Sequence, residues 1–221
     1  MIRFLLFWSI KIFFKLFTRV DARGLENIPD DGGAIIAINH PGRMEIFLAF
    51  IMTHRKDATG LAAEKYEKYW ITRVLIENIE GIFLDRFKPD LEALKTALAY
   101  LKKGWLLGIA PEGTRSPTLA LTEGKEGIAF IASKSGVPVI PAAAIIPRGT
   151  GWEVLKLKRP KIQISFGKSF LLPPFDRKER DLQQKKGTEE IMCRIAALLP
   201  DEMHGFYANN PRIKEIISQK I

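Results

Sequence analysis

Apolar positions along this chain switch repeatedly between two spacings. Ala34-Ile35-Ile36-Ala37-Ile38 is an unbroken apolar run, the pattern of a strand buried on both faces. Glu45–Thr53 reads as a helix, Thr59–Ala63 as a short strand, Tyr66–Asn78 as a helix and Gly81–Leu84 as a strand. Residues 89–102 carry Leu91, Leu94, Leu98 and Leu101 at helical spacing, with Pro89 in the first turn and Gly104 just past the end. Strand returns at Trp105–Ile109, helix at Gly124–Ser135, strand at Val137–Ile146 and Lys161–Phe166, and helix at Glu189–Leu199. Strands alternating with helices, and no long linker or repeat, predict a single α/β domain with a largely parallel central sheet flanked by helices.

The first residues break this rhythm. Phe, Leu, Ile and Trp8 dominate residues 1–20, which hold Arg3, Lys11, Lys15 and Arg19 but no acid. Spaced by four, Lys11, Lys15 and Arg19 form a slowly drifting basic stripe on a helix. The longest uncharged run, Phe4–Ile10, is far short of the roughly 20 residues a spanning helix needs. Charges threaded through the apolar stretch also argue against a signal peptide. Residues 1–22 are therefore expected to be an amphipathic helix anchoring the chain in a membrane interface, and 23–221 the α/β domain. The competing reading is a helix packed on the domain's own core.

Composition narrows the partners. The 221 residues carry a formal net charge of +9, which calls for an anionic surface or substrate. The basic residues do not interleave with aromatics as an RNA-binding sheet requires, so no nucleic-acid partner is expected. A single cysteine, Cys193, lies in an apolar helical pattern and reads as a core thiol rather than a nucleophile. His40, His54 and His204 are scattered, so no metal site is expected. The basic run Lys156-Leu157-Lys158-Arg159-Pro160-Lys161 reads as a solvated hairpin.

In a parallel sheet, chemistry collects in the loops at the carboxyl ends of the strands. Three loops there hold charged residues: Asn39–Glu45, Asp85-Arg86 and Pro111–Ser116. His40 follows a buried strand and precedes Pro41-Gly42, a turn signal. Its ordinary pKa of about 6.5 suits proton abstraction near neutrality. On one continuous helix Glu45 would point about 140° away from His40, so the two meet only if the chain turns between them. If it does, Glu45 accepts the second imidazole N–H and fixes the tautomer. A surface histidine before a helix-starting glutamate explains this loop equally well. Glu112, Gly113, Thr114 and Arg115 add a carboxylate, a flexible backbone, a hydroxyl and a guanidinium, and Arg86 and Lys125 add further cations. Such a set suits a phosphate ester bearing free hydroxyls.

These blocks resemble the glycerolipid acyltransferases of the lysophosphatidate type. Asn39-His40 with Glu45 is similar to the first family block, a histidine, four intervening residues and then an aspartate. Gly81–Arg86 resembles the second, acceptor-binding block, and Ala110–Ser116 is close to identical with the third. Val137–Ala142 is similar to the fourth, and Lys125 with Gly127 matches the Lys-x-Gly between them. The resemblance spans roughly residues 24–150 and extends weakly through Leu198-Leu199-Pro200 to Gly205-Phe206-Tyr207.

It implies transfer of a fatty acyl group from acyl-CoA or acyl carrier protein to a lysophospholipid hydroxyl, with no further cofactor and no covalent enzyme intermediate. His40 would be the base, with Glu45 in the place of the family aspartate. Arg86, Glu112 and Arg115 would position the glycerol phosphate, helped by Thr114 and Lys125, and the backbone near Gly113 would meet the oxyanion. Membrane lipids would be neighbours, and the enzyme a peripheral or monotopic protein of the cytoplasmic face. The alternatives are the same chemistry on another lysolipid, or a lipid-binding homologue weakened by Glu45. A thioester hydrolase is disfavoured because no Gly-x-Ser-x-Gly motif occurs.

Overall fold

The computed structural model describes residues 2–42, 45–85, 90–176 and 178–219. In chain order the elements are α1 (Ile2–Phe17), β1 (Arg19–Arg23), β2 (Ala34–Ile38), α2 (Glu45–Met52), β3 (Ala58–Ala63), α3 (Trp70–Asn78) and β4 (Ile82–Leu84). Then come α4 (Leu91–Lys102), β5 (Leu106–Ile109), α5 (Gly127–Ser135), β6 (Val139–Ile145), α6 (Thr150–Leu155), β7 (Lys161–Phe166), α7 (Arg180–Ala196) and α8 (Pro211–Ser218).

The seven strands form one sheet in the order β1-β7-β6-β2-β5-β3-β4. β2 to β6 run parallel, β7 is antiparallel to β6, and β1 is parallel to β7. The expected largely parallel α/β sheet is therefore present. Successive side chains of a strand face opposite sides, and β2 shows it. Ala34, Ile36 and Ile38 pack with Phe14 of α1 and with Leu48, Ala49 and Ile51 of α2. Ile35 and Ala37 pack on the other side with Ala97 and Leu101 of α4, Ile128 of α5 and Ile191 and Ile195 of α7.

Several boundaries move from the sequence expectation. Asp90 caps α4 by accepting the Ala93 N–H at 2.9 Å, so the helix starts at Leu91. Pro89 lies outside the described residues. α7 begins at Arg180 rather than Glu189; its first turns are largely polar and solvated, and so carry no apolar period. Lys156–Lys161 is not a hairpin: α6 precedes it, and the chain then turns into β7. β1 overlaps the end of the stretch 1–22 expected to form the anchor, so the sheet already begins at Arg19.

No helix of the described residues is long and apolar enough to cross a membrane. α1 docks on the domain through Phe14, which is buried, yet leaves Trp8, Ile12 and Leu16 exposed beside the Lys11–Lys15 stripe.

Candidate active site

β2 and β5 are neighbours, with Ala37 opposite Ile109, so the loops that follow them emerge side by side. The exit from β2 is fixed by Asn39, which is buried. Its side chain acts as an extra rung of the sheet: Oδ1 accepts the Ala144 N–H at 2.7 Å and Nδ2 donates to the Ala144 carbonyl at 3.0 Å. His40 comes next with its backbone held from both sides. Its N–H donates to Glu112 Oε1 at 2.8 Å, and its carbonyl accepts the Ser116 N–H at 3.1 Å.

The turn at Pro41-Gly42 brings Glu45, first residue of α2, back to the ring. His40 Nδ1 and Glu45 Oε1 are hydrogen-bonded. A carboxylate accepts, so the proton sits on Nδ1 and Nε2 carries the lone pair. Nε2 has no partner among the described residues, and the His40 side chain is 20% exposed against 1% for Glu45. The second carboxylate oxygen, Oε2, is buried without a partner among the described residues. It lies beside Gly42, where a Cβ would come within 3.3 Å of it.

Glu112 departs from its expected role. It is 2% exposed, and both its oxygens are engaged inside the protein. Oε1 holds the His40 N–H, and Oε2 accepts the Thr122 N–H and hydroxyl, each at 2.8 Å. It ties the loop after β2 to both arms of the loop after β5 rather than offering acceptors to a substrate hydroxyl. Thr122 went unrecognised in the sequence because a lone threonine ten residues downstream gives no signal. Its loop is held by the C-terminal turns: the Leu121 N–H donates to the Met203 carbonyl, and the Leu121 carbonyl accepts the Phe206 N–H, both at 2.9 Å. Gly205 is needed there, with φ +52° and a Cβ that would lie 2.2 Å from the Leu121 oxygen. Tyr207 adds a further tie by accepting the Gly124 N–H at 3.0 Å.

The Gly113 N–H donates to the Ala110 carbonyl at 3.0 Å, so it is committed to the turn. The Thr114 and Arg115 N–H groups bond to no described residue. Thr114, Arg115 and Lys125 are exposed, and the Lys125 stem lies beside Gly113, whose added Cβ would be 3.5 Å from Lys125 Cγ. Arg86 lies outside the described residues. Asp85 leaves β4, separated from β5 by β3, and its N–H donates to Asp90 Oδ2 at 3.1 Å. Cys193 is fully buried, and burial pushes its thiol up to about 12, which leaves no thiolate for covalent catalysis. The arrangement is an imidazole with one free nitrogen, a carboxylate behind it, and exposed cations on the adjacent loop.

Residues 19–145 match the family described as Acyltransferase. The chain belongs to the acyltransferase family. It is 30% identical over 158 residues to the 1-acyl-sn-glycerol-3-phosphate acyltransferase of Bacillus subtilis, spanning 71% of this chain and 77% of that protein. The chloroplastic 1-acyl-sn-glycerol-3-phosphate acyltransferase of Brassica napus is 29% identical over 146 residues, 61% of this chain but 39% of that longer protein. Among solved structures, this acyltransferase resembles the 1-acyl-sn-glycerophosphate acyltransferase of Thermotoga maritima. The TM-score is 0.61 at 29% identity, covering 86% of this chain and 80% of that one.

Proposed function

We propose that this acyltransferase acylates the free hydroxyl of lysophosphatidate with an acyl thioester, giving phosphatidate. The observation that carries the reading is the His40–Glu45 pair, with a free Nε2 on a backbone clamped by Glu112. His40 Nε2 accepts the proton of the acceptor hydroxyl as that oxygen attacks the thioester carbonyl carbon. Glu45 stabilises the imidazolium that forms. The tetrahedral oxyanion collapses with cleavage of the C–S bond, and the imidazolium returns its proton to the departing thiolate. Arg115 and Lys125 receive the phosphate, and the N–H groups of Thr114 and Arg115, which bond to no described residue, serve as backbone donors for the oxyanion. Acyl-CoA or acyl carrier protein delivers the acyl group. α1 rests in the membrane interface with Trp8, Ile12 and Leu16 toward lipid and Lys11 and Lys15 toward headgroups, on the cytoplasmic face.

The test uses purified protein, labelled acyl-CoA or acyl carrier protein, and a panel of lysolipid acceptors. Lysophosphatidate is expected to be the preferred acceptor, and His40→Ala to lower kcat about 10³-fold when assayed well below its melting temperature. Undiminished turnover by His40→Ala would sink the mechanism. Preference for an acceptor without a phosphate monoester would move the reading to another lysolipid. A large gain on Glu45→Asp from near-zero activity would favour the weakened homologue.

A further inference from the structure

The connection between β6 and β7 turns the usual rule of burial inside out. α6 and the turn after it leave Trp152, Leu155 and Leu157 exposed at 72%, 74% and 69%, while Glu153 is half-buried. Trp152 and Leu155, three apart on α6, share a face. Leu157 adopts φ +56°, a conformation that a branched side chain takes only at a cost. A segment that holds its apolar groups outward at the expense of strain has something apolar to meet.

Its position follows from the sheet register. Asn39 pairs with Ala144 near the end of β6, and β7 runs back antiparallel from Lys161, so residues 146–160 lie over the carboxyl edge that carries His40. Arg148 donates to the Pro117 carbonyl at 3.1 Å, on the loop that follows Ser116. At the other end Arg159 donates to the Lys15 carbonyl at 3.0 Å, and the Arg19 N–H donates to the Pro160 carbonyl at 3.0 Å. The exposed apolar residues thus bridge the mouth of the site and the end of α1.

Two further features fit one occupant. Residues 147–161 hold Arg148, Lys156, Lys158, Arg159 and Lys161 against the single acid Glu153. Much of the segment's backbone is also satisfied locally: the N–H groups of Glu153, Lys156, Leu157 and Lys158 donate to carbonyls within it at 2.9–3.1 Å. It can enter a water-poor layer without stranding those donors. We infer that Trp152, Leu155 and Leu157 insert into the interface of an anionic bilayer as a second membrane contact, continuous with α1, that seats the mouth of the site on the lipid surface. The link to catalysis rests on the lipid acyltransferase reading; the membrane contact itself does not.

The test takes the full chain and the triple variant Trp152→Ser/Leu155→Ser/Leu157→Ser, with Leu182→Ser, exposed on α7, as control. Partition is measured on vesicles of phosphatidylcholine and phosphatidylglycerol in equal amounts, and Trp emission on the same vesicles with brominated chains. Partition should fall roughly tenfold or more in the triple variant and change less than about twofold in the control. Quenching should weaken in Trp152→Phe relative to the wild type. Turnover of vesicle-borne lysophosphatidate should fall about tenfold in the triple variant, while a short-chain soluble acceptor is acylated within about twofold of the wild-type rate. Unchanged partition, unchanged quenching, or equal loss on both acceptors overturns the inference. So does concentration-dependent dimerisation without lipid that the triple variant abolishes, since the occupant is then a second copy. If the wild type acylates no lysolipid, the functional reading fails, while partition and quenching still decide the membrane contact.

Discussion

The two edges of the central sheet are held by the same device with opposite charge. At the amino edge Arg55, 6% exposed, donates to the carbonyls of Gly32 at 2.6 Å and Pro29 at 3.3 Å, and also bonds Gly104 and Asp57. Those partners precede β2, β5 and β3, so one guanidinium gathers the chain as it enters three strands. At the carboxyl edge Glu112 gathers the chain after β2 and β5, taking N–H groups from His40 and Thr122. The difference lies in what remains unpaired. Around Arg55, ordered carbonyls are satisfied. Around Glu112, the clamp orders a residue whose ring nitrogen Nε2 is left over. Rigid polar burial at both ends therefore serves folding, and only at one end does it also hold an imidazole whose second nitrogen no described residue engages.

Glu112 is where that comparison breaks most severely. Glu112→Ala strands two N–H groups and a hydroxyl and should cost about 3 kcal/mol of stability. It should also lower kcat roughly 10²-fold by loosening His40. Glu112→Gln is instructive because either orientation of the amide sets its NH2 against a backbone N–H, at His40 or at Thr122. It should still lower kcat by about tenfold with a smaller stability loss. Steady-state kinetics beside thermal melts separate the two effects; a Gln variant with wild-type kcat would mean the clamp does not position His40. Arg55→Leu supplies the contrast, destabilising by about 2–3 kcal/mol while kcat, measured well below the melting temperature, stays within about threefold. A loss of kcat comparable to that of Glu112→Ala would erase the distinction between the edges.

How far the carboxyl edge was legible in the sequence depends on the kind of information each residue carries. His40 could be placed because a run buried on both faces must end at a sheet edge, and Pro41-Gly42 supplies the turn that brings Glu45 back. The inward aim of Glu112 could not be read, because its partners lie 72 and ten residues away and spacing does not tell which way a loop carboxylate points. Asn39 was visible as a motif residue, but its pairing with Ala144 depends on a contact 105 residues distant. α6 is six residues long between Gly149 and Gly151 at its start, too short and too glycine-rich to announce a helix. α8 was missed for a different reason: Asn210 and Pro211 are a cap and an N1 residue in plain sight, and the Asn210 side chain does accept the Arg212 N–H.

The C-terminal turns extend the comparison, since they support the Thr122 side of the clamp from outside the matched family region. Gly205→Ala drives a Cβ against the Leu121 carbonyl in a left-handed conformation, and backbone rather than a flexible side chain must yield. A loss of about 2 kcal/mol is expected, with kcat reduced less than in Glu112→Ala because the Glu112–His40 bond survives. A melt unchanged from wild type would show that the loop and turn separate freely.

The smallest effect tests charge burial away from both edges. Glu190 on α7 accepts from Arg194 Nε at 2.7 Å and from Arg212 Nε and Nη2 at 2.7 and 3.0 Å, joining α7 to the first turn of α8. Burial raises its pKa, but the hydrogen bonds from Arg212 and Arg194 outweigh burial and hold the carboxyl below the ordinary glutamate value. A carboxyl whose pKa is lowered in the folded state contributes stability above its unfolded value of about 4.3 and loses it as pH falls through the folded one. Glu190→Gln should therefore cost about 1 kcal/mol at neutral pH, and the gap to wild type should close as the pH drops below about 4. Urea melts at a series of pH values measure this directly. A gap that stays constant into acid would assign the contribution to packing of the side chain, because a neutral acid and an amide fill the same space and only the charge is lost on protonation.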